Sequence, residues 1–196
     1  MSNVFFTADL HLHHRNIIKH CNRPFESVEG MNDELIRRWN ATVVDNKAHV
    51  YVLGDFAWTR DWDEYRCLLH MLKGQKHLIF GNHDKFSVSK ALSLGFVEAC
   101  DVKRLKIDGD QIWLGHYAHR TWPNKSHGAY HLYGHSHGTL PSEGRSVDVG
   151  VDLWDFAPVN WNDLLGYFNA DTLKSAIRVL NMHKQADRRY GNESSH

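Results

Sequence analysis

Proline occurs only four times in the 196 residues, and no internal repeat or low-complexity block appears, which excludes a repeat array or a disordered chain. The three cysteines, Cys21, Cys67 and Cys100, are odd in number and lack CxxC spacing, so the expectation is reduced thiols in a cytoplasmic protein rather than a disulfide framework. No apolar run approaches membrane-spanning length, and MSNVFFTADL has neither a basic leader nor a long apolar segment, so neither a membrane partner nor a secretion signal is expected. Neither sign of charge is in excess, with 23 Lys plus Arg against 23 Asp plus Glu. That balance argues against an extended nucleic-acid surface, while leaving room for a local basic cleft. The oligomeric state is left open.

What is present is a globular composition: 42% apolar residues, with seven Trp, nine Phe and seven Tyr. The length suits one substantial domain, expected over residues 1–187, with the polar stretch 188–196 as a frayed tail. The unusual number is sixteen histidines. Asp9, His11, His13 and His14 crowd into the single segment FTADLHLHH, which reads as a contribution to a metal site.

Short β-rich runs alternate with helical periodicity. The strand candidates are Val4–Ala8, His49–Leu53, His77–Phe80, Val102–Ile107, Gln111–Leu114, Tyr130–Tyr133 and Ser146–Val151, with Asp108–Asp110 as a hairpin turn. Met31, Leu35, Ile36, Trp39 and Val43 form one helical stripe, with Asp33 and Glu34 suited to its first turn. Tyr65, Leu68, Leu69 and Leu72 form a second, ended by Gly74, and a shorter helix runs from Ser87 to Leu94. A last helix is expected to begin near Trp161–Asp163 and to carry Leu164, Leu165, Phe168, Leu173, Ile177 and Leu180. The order describes an α/β fold in which two sheets are flanked by helices.

Strand after strand ends in a polar cluster. Asp9 and His11 come first, then Gly54-Asp55, Gly81-Asn82-His83-Asp84, Gly115-His116 and Gly134-His135-Ser136-His137. In open α/β sheets the ligand crevice lies outside the carboxyl ends of the strands, so the clusters should converge. A lone histidine is ordinarily a core or surface imidazole, and any one fragment is weak. The five fragments in order at strand ends are not. On extended backbone, residues i and i+2 point the same way, which would pair Asp9 with His11 and His135 with His137 unless the loops override it.

This ordered set resembles the calcineurin-like metallophosphoesterase superfamily, whose pattern is DxH, GD, GNH[DE], GH and GHxH. The match runs from residue 9 to residue 137, and DVGVDLWDFAPVNWNDL, residues 148–164, is similar to the tail of compact bacterial and phage members. The resemblance implies a four-layer α/β/β/α fold and a dinuclear metal-dependent phosphoesterase. Asp9, His11 and His137 would hold one metal, Asn82, His116 and His135 the other, and Asp55 would bridge them. The resemblance implies two divalent ions, and mixed nitrogen and oxygen ligation suits transition metals, Mn first, with Fe, Zn, Ni or Co as alternatives. A metal-bridging hydroxide would attack phosphorus in line. His83 would protonate the leaving oxygen or stabilise the transferred group, a task suited to a histidine because imidazoles in general titrate near neutrality.

Asp84 would either orient His83 or cap the helix after Ser87. The segment Gly54-Asp55-Phe56-Ala57-Trp58-Thr59-Arg60 lacks the second Asp of the protein-phosphatase motif GDxVDRG, which weakens that reading. Arg23, Arg120 and His14 are candidate substrate contacts, while His13 reads as a surface or supporting residue. Trp58, Trp62, Trp122 and Trp154 could stack on a base, although Trp in a small domain is more often core. The expected substrate is a small phosphoester, foremost a nucleotide-type phosphodiester including 2′,3′-cyclic phosphates. The alternatives are a phosphomonoesterase, a catalytically silent scaffold of the same fold, and a structural zinc protein that would unfold on chelation.

Overall fold

The computed structural model describes residues 3–170, and the chain divides into two units, Met1–Trp161 and Asn162–His196. In the first unit, β1 (Val4–Thr7), β2 (His49–Leu53), β3 (Gln75–Ile79), β4 (Glu98–Cys100) and β9 (Val159–Asn160) form a five-stranded sheet in the order β4-β3-β2-β1-β9. The pairs β1–β2, β2–β3 and β3–β4 are parallel, and β9 closes the far edge antiparallel to β1. A second sheet holds β5 (Val102–Ile107), β6 (Asp110–Gly115), β7 (Tyr130–Tyr133) and β8 (Ser146–Asp148), in the order β5-β6-β7-β8.

Parallel neighbours need crossovers. Here the crossovers contain helices α1 (Arg15–His20) and α2 (Val28–Thr42) between β1 and β2, α3 (Trp62–Met71) between β2 and β3, and α4 (Val88–Leu94) between β3 and β4. The stripe Met31, Leu35, Ile36 and Trp39 of α2 packs with Leu68 and Leu69 of α3, Ala91 and Leu94 of α4, and Val50, Val52 and Leu78 of the sheet in one buried core. Such continuous apolar burial is what a parallel sheet covered by helices requires. On the other side, Phe6 of β1 packs on Tyr51 of β2 and Trp161, with ring centroids 5.7 and 6.0 Å apart, and Trp161 meets Tyr130 of the second sheet at 5.2 Å. Two sheets flanked by helices therefore form the fold, as the alternation of periodicities implies.

The details differ in instructive places. Helix α2 begins at Val28, capped by the Ser27 side chain accepting from the Gly30 N–H, so Asp33 and Glu34 stand in its second turn. Glu34 instead takes Arg37 and Arg38 on the exposed surface. The Asp108–Gly109 turn joins β5 to β6 with φ of 49° and 97°, the left-handed pair a tight hairpin needs. Strand β8 stops at Asp148, three residues short of the expected end. Strands β4 and β9, of three and two residues, are too short to leave a periodic signal.

In the second unit the described residues 162–170 are helical. The expected helix positions Leu173, Ile177 and Leu180, and the expected tail 188–196, lie outside the described residues. Among the described residues no helix is long and apolar enough to cross a membrane.

Candidate metal centre

Five loops meet at the carboxyl ends of the strands, and backbone hydrogen bonds lace them together. Asp9 N–H donates to the Gly54 carbonyl at 3.0 Å, His11 N–H to Asp55 at 2.9 Å, and Gly134 N–H to His116 at 2.9 Å. Asp9, His11, Asp55, His135 and His137 all adopt left-handed backbone, with φ between 45° and 67°. Each such residue costs on the order of 1–3 kcal/mol, and this strain is sustained only where surrounding structure over-determines it. The extended-strand reason for pairing Asp9 with His11, and His135 with His137, is thus replaced by a turn geometry that re-aims each side chain.

The side chains form two groups with metal-ligating potential, Asp9–His11–His137 and Asp55–His116–His135, within which the ligand atoms lie no more than 4.8 Å apart. Asp55 joins the groups: its Oδ2 lies 3.5 Å from His11 Nε2 and 3.6 Å from His116 Nε2. The other carboxylate oxygen of Asp55 accepts the His83 backbone N–H at 2.9 Å, which turns Oδ2 toward the histidines. Asn82 Oδ1 stands 3.0 Å from His116 Nε2, beside the second group.

These residues fit a cation. Asp9 Oδ1 and His11 Nε2 are buried without a hydrogen-bond partner, and orphaned polar atoms of this kind are costly unless something binds them. Asp9, Asp55 and Asp148 are all nearly fully buried together, with exposures of 0%, 2% and 0%. Burial first, and then the neighbouring Asp148 and Asp55, push the Asp9 carboxyl well above the usual carboxylate range. Burial likewise drives the His11 imidazole far down, reinforced by the charges of His137 and Arg23 nearby. A neutral imidazole is the form that can ligate a metal.

Two of the rings that face the site are oriented from behind. His116 Nδ1 donates to the Leu53 carbonyl at 2.7 Å, so that Nε2 faces Asn82 and Asp55. His137 Nδ1 bonds Asp152 Oδ2 at 2.8 Å, a carboxylate–histidine pairing that fixes the ring and raises its basicity. Burial alone would lower the His137 imidazole, but the bonds to Asp152 and Cys21 outweigh it and raise it to about 10. Cys21, His137 and Asp152 form a third group of potential ligands. Both Asp152 oxygens, however, are taken by Arg23, at 2.8 and 3.0 Å, so the carboxylate serves to orient His137.

Two candidates are buried and bonded to the loop backbone. The N-terminus of α4 is capped by Ser87 through the Lys90 N–H, and Asp84 is buried. Its carboxylate accepts the backbone N–H groups of Asp55 (2.8 Å), Gly81 (2.9 Å) and Phe56 (3.4 Å), tying the GD loop to the GNHD loop. Burial pushes the Asp84 carboxyl up to about 6, opposed by the Gly81 and Asp55 N–H bonds. Arg23, a candidate substrate contact, has a 0% exposed side chain, held by Asp152 and by the carbonyls of Asp9 and Leu10.

Of the remaining candidates, Arg120 is exposed on the loop after β6, where its carbonyl accepts from Lys125 Nζ, and it is not gathered with the ligand groups. His14 is gathered in: its Nδ1 lies 3.2 Å from His11 Nδ1. His13 turns away to Glu64, at 3.1 Å. His83 is drawn to the centre, with Nε2 3.9 Å from Asp55 Oδ2 and its side chain 31% exposed, so it stands between the ligand groups and solvent.

Sequence reasoning missed Asp148 and Asp152. Asp148 accepts from Ser136 Oγ, Gly138 N–H and Gly150 N–H, at 2.5, 3.0 and 2.7 Å, and so holds the GHSH loop. Both lie in the stretch DVGVD, where alternating acids and glycines after a strand were the available signal.

Proteins similar to this chain occur in an archaeon and in a phage. No family model matches the chain. The uncharacterised protein MJ1445 of Methanocaldococcus jannaschii is 32% identical over 168 residues, covering 82% of this chain and 88% of that protein. The chain belongs to the same family as MJ1445. The gene 66 protein of Mycobacterium phage L5 is 25% identical over 185 residues, covering 79% of this chain and 88% of the phage protein. Among solved structures, AQ665 of Aquifex aeolicus, a protein of unknown function, is similar at a TM-score of 0.66 and 25% identity, over 84% of this chain and 98% of its own.

Proposed function

We propose that the protein is a dinuclear metal-dependent phosphoesterase of the calcineurin-like type, acting foremost on phosphodiesters. The observation that carries this reading is the placement of one Asp55 oxygen about equally far from His11 and His116, one histidine of each ligand group. A carboxylate can serve two cations at once, and a pair of cations a few ångströms apart suits phosphoryl transfer.

Asp9, His11 and His137 would hold one ion, Asn82, His116 and His135 the second, with Asp55 shared. When bound, divalent transition metals, Mn foremost, supply an activated water and positive charge against the phosphoryl oxygens. The chain's own residues do the rest. The lacing of the loops by Asp84 and Asp148 fixes the spacing of the ligands, so the geometry is in place before substrate arrives. His83, partly exposed and next to Asp55, would donate a proton to the departing ester oxygen.

The test is hydrolysis of bis(4-nitrophenyl) phosphate by purified protein loaded with Mn²⁺. The wild type should turn over, and His83→Ala should lose most of the rate while keeping its metal. A wild type inert with every divalent metal would leave the scaffold reading in its place.

A further inference from the structure

Two aromatic side chains stand half exposed against the centre. Trp58, 49% exposed, follows the Gly54-Asp55 turn, and Tyr117, 48% exposed, follows His116 at the end of β6. Single exposed hydrophobic residues are ordinary. These two differ in what they touch. The Trp58 indole stacks on His14 with centroids 4.3 Å apart and planes 11° from parallel, and it meets the His83 ring edge to face at 4.7 Å. The Tyr117 ring meets His135 at 4.6 Å and His116 at 5.0 Å, again edge to face. They mark the two ends of one line of contacts. It runs from Trp58 through His83 to Asp55, 3.9 Å away, then to His116 at 3.6 Å and on to Tyr117.

We propose that Trp58 and Tyr117 are stacking platforms for the two organic groups of a phosphodiester, and that the preferred substrate carries a nucleobase on each side of the phosphate, as a dinucleotide does. This rests on the phosphoesterase reading above. A monoester has one organic group and would leave one ring without a partner. Base–aromatic stacking is worth roughly 1–3 kcal/mol per base and tolerates any base, because every base has a π-face. The base over Trp58 belongs to the leaving group, since His83 lies beside that ring. A water oxygen bonds to phosphorus and gives up a proton to solvent, the P–O bond on the Trp58 side breaks, and the departing oxygen takes a proton from His83, which solvent restores. With equal numbers of acidic and basic residues, 23 each, the chain has no charge excess to hold a long backbone, which favours a short ligand.

The experiment compares Mn²⁺-loaded wild type, Trp58→Leu, Trp58→Phe and Tyr117→Leu in two readouts. One is kcat/KM for thymidylyl-thymidine against dibutyl phosphate. The other is calorimetric binding of a dinucleoside phosphonate, whose C–P bond resists hydrolysis. Each leucine variant should lower the preference for the dinucleotide about tenfold, mainly through KM, and weaken phosphonate binding by a similar factor, while Trp58→Phe should recover most of both. Circular dichroism melts confirm that the variants are folded. Leucine variants that keep both the preference and the phosphonate affinity overturn the proposal with the hydrolase reading intact. A wild type that cleaves neither diester overturns the hydrolase reading, and phosphonate binding still decides the stacking.

Discussion

Asp84 and Arg23 are the two residues whose roles depend most on what they hold rather than on what they reach. Asp84 gathers three backbone N–H groups with two carboxylate oxygens. Asp84→Asn keeps the shape but leaves one terminal group that donates where an acceptor is needed. We expect a loss of about 1–3 kcal/mol in urea unfolding, together with weaker Mn²⁺ binding, because Asp55 sits on the loop that is released. Arg23→Lys keeps the charge but loses the fork that binds both oxygens of Asp152, a change that is not conservative at a bidentate site. Its cost should be about 1–2 kcal/mol of stability, with looser metal binding through His137 and no separate rise in KM once the protein is saturated with metal. A rise in KM alone would instead make Arg23 a substrate contact. Both roles were invisible in the sequence for the same reason. Arg23 and Asp152 lie 129 positions apart, and backbone acceptance by Asp84 leaves no mark on residue spacing.

At the scale of elements, what could be read was what periodicity and punctuation record. The helical stripes, the hairpin at Asp108–Gly109 and the polar clusters after β1, β2, β3, β6 and β7 stand where residue pattern placed them. Strands β4 and β9 and the left-handed backbone of the ligand loops do not announce themselves, because Asp and His carry no conformational label as Gly does. Gly81 does carry one: a Cβ there would fall inside the Asp55 carboxylate and 2.6 Å from the Asp55 nitrogen. Gly81→Ala should therefore abolish tight Mn²⁺ binding in a chain that still gives an α/β circular dichroism spectrum. Normal metal affinity in that variant would mean that the two loops are not locked as described.

Strand β7 offers a test by pH. His131 is 0% exposed, and burial first pushes its imidazole down to about 4, aided by the charges of His119 and Lys125 against the bond to the Trp113 carbonyl. Its Nδ1 lies 3.1 Å from that carbonyl, and its Nε2 accepts the His119 N–H at 2.9 Å, so the ring is held neutral. Because the folded value lies below the unfolded value of 6.5, the unfolded chain binds the proton more readily. The contribution is complete above about pH 6.5 and falls as pH drops toward 4, by on the order of 3 kcal/mol. Unfolding free energies measured across that range should decline for the wild type, and His131→Phe should be less stable at pH 7 with a shallower decline. Equal slopes would remove His131 from the account.

For the whole molecule, the separation between core and centre decides what metal does. The buried cluster of α2, α3, α4 and the parallel sheet is assembled from apolar contacts and draws on none of the ligand side chains. Chelation should therefore abolish hydrolysis while leaving the domain folded, with the thermal midpoint lowered only by the binding free energy of the ions. Wholesale loss of the circular dichroism signal on chelation would favour a structural zinc protein instead.

The central claim is that Asp55 is shared by two cations. Manganese titration followed by electron paramagnetic resonance addresses it directly, since two Mn²⁺ ions held by one carboxylate couple magnetically. The account predicts two ions per chain with the spectrum of a coupled pair, and loss of that coupling in Asp55→Ala. Saturation at one uncoupled ion per chain would contradict it.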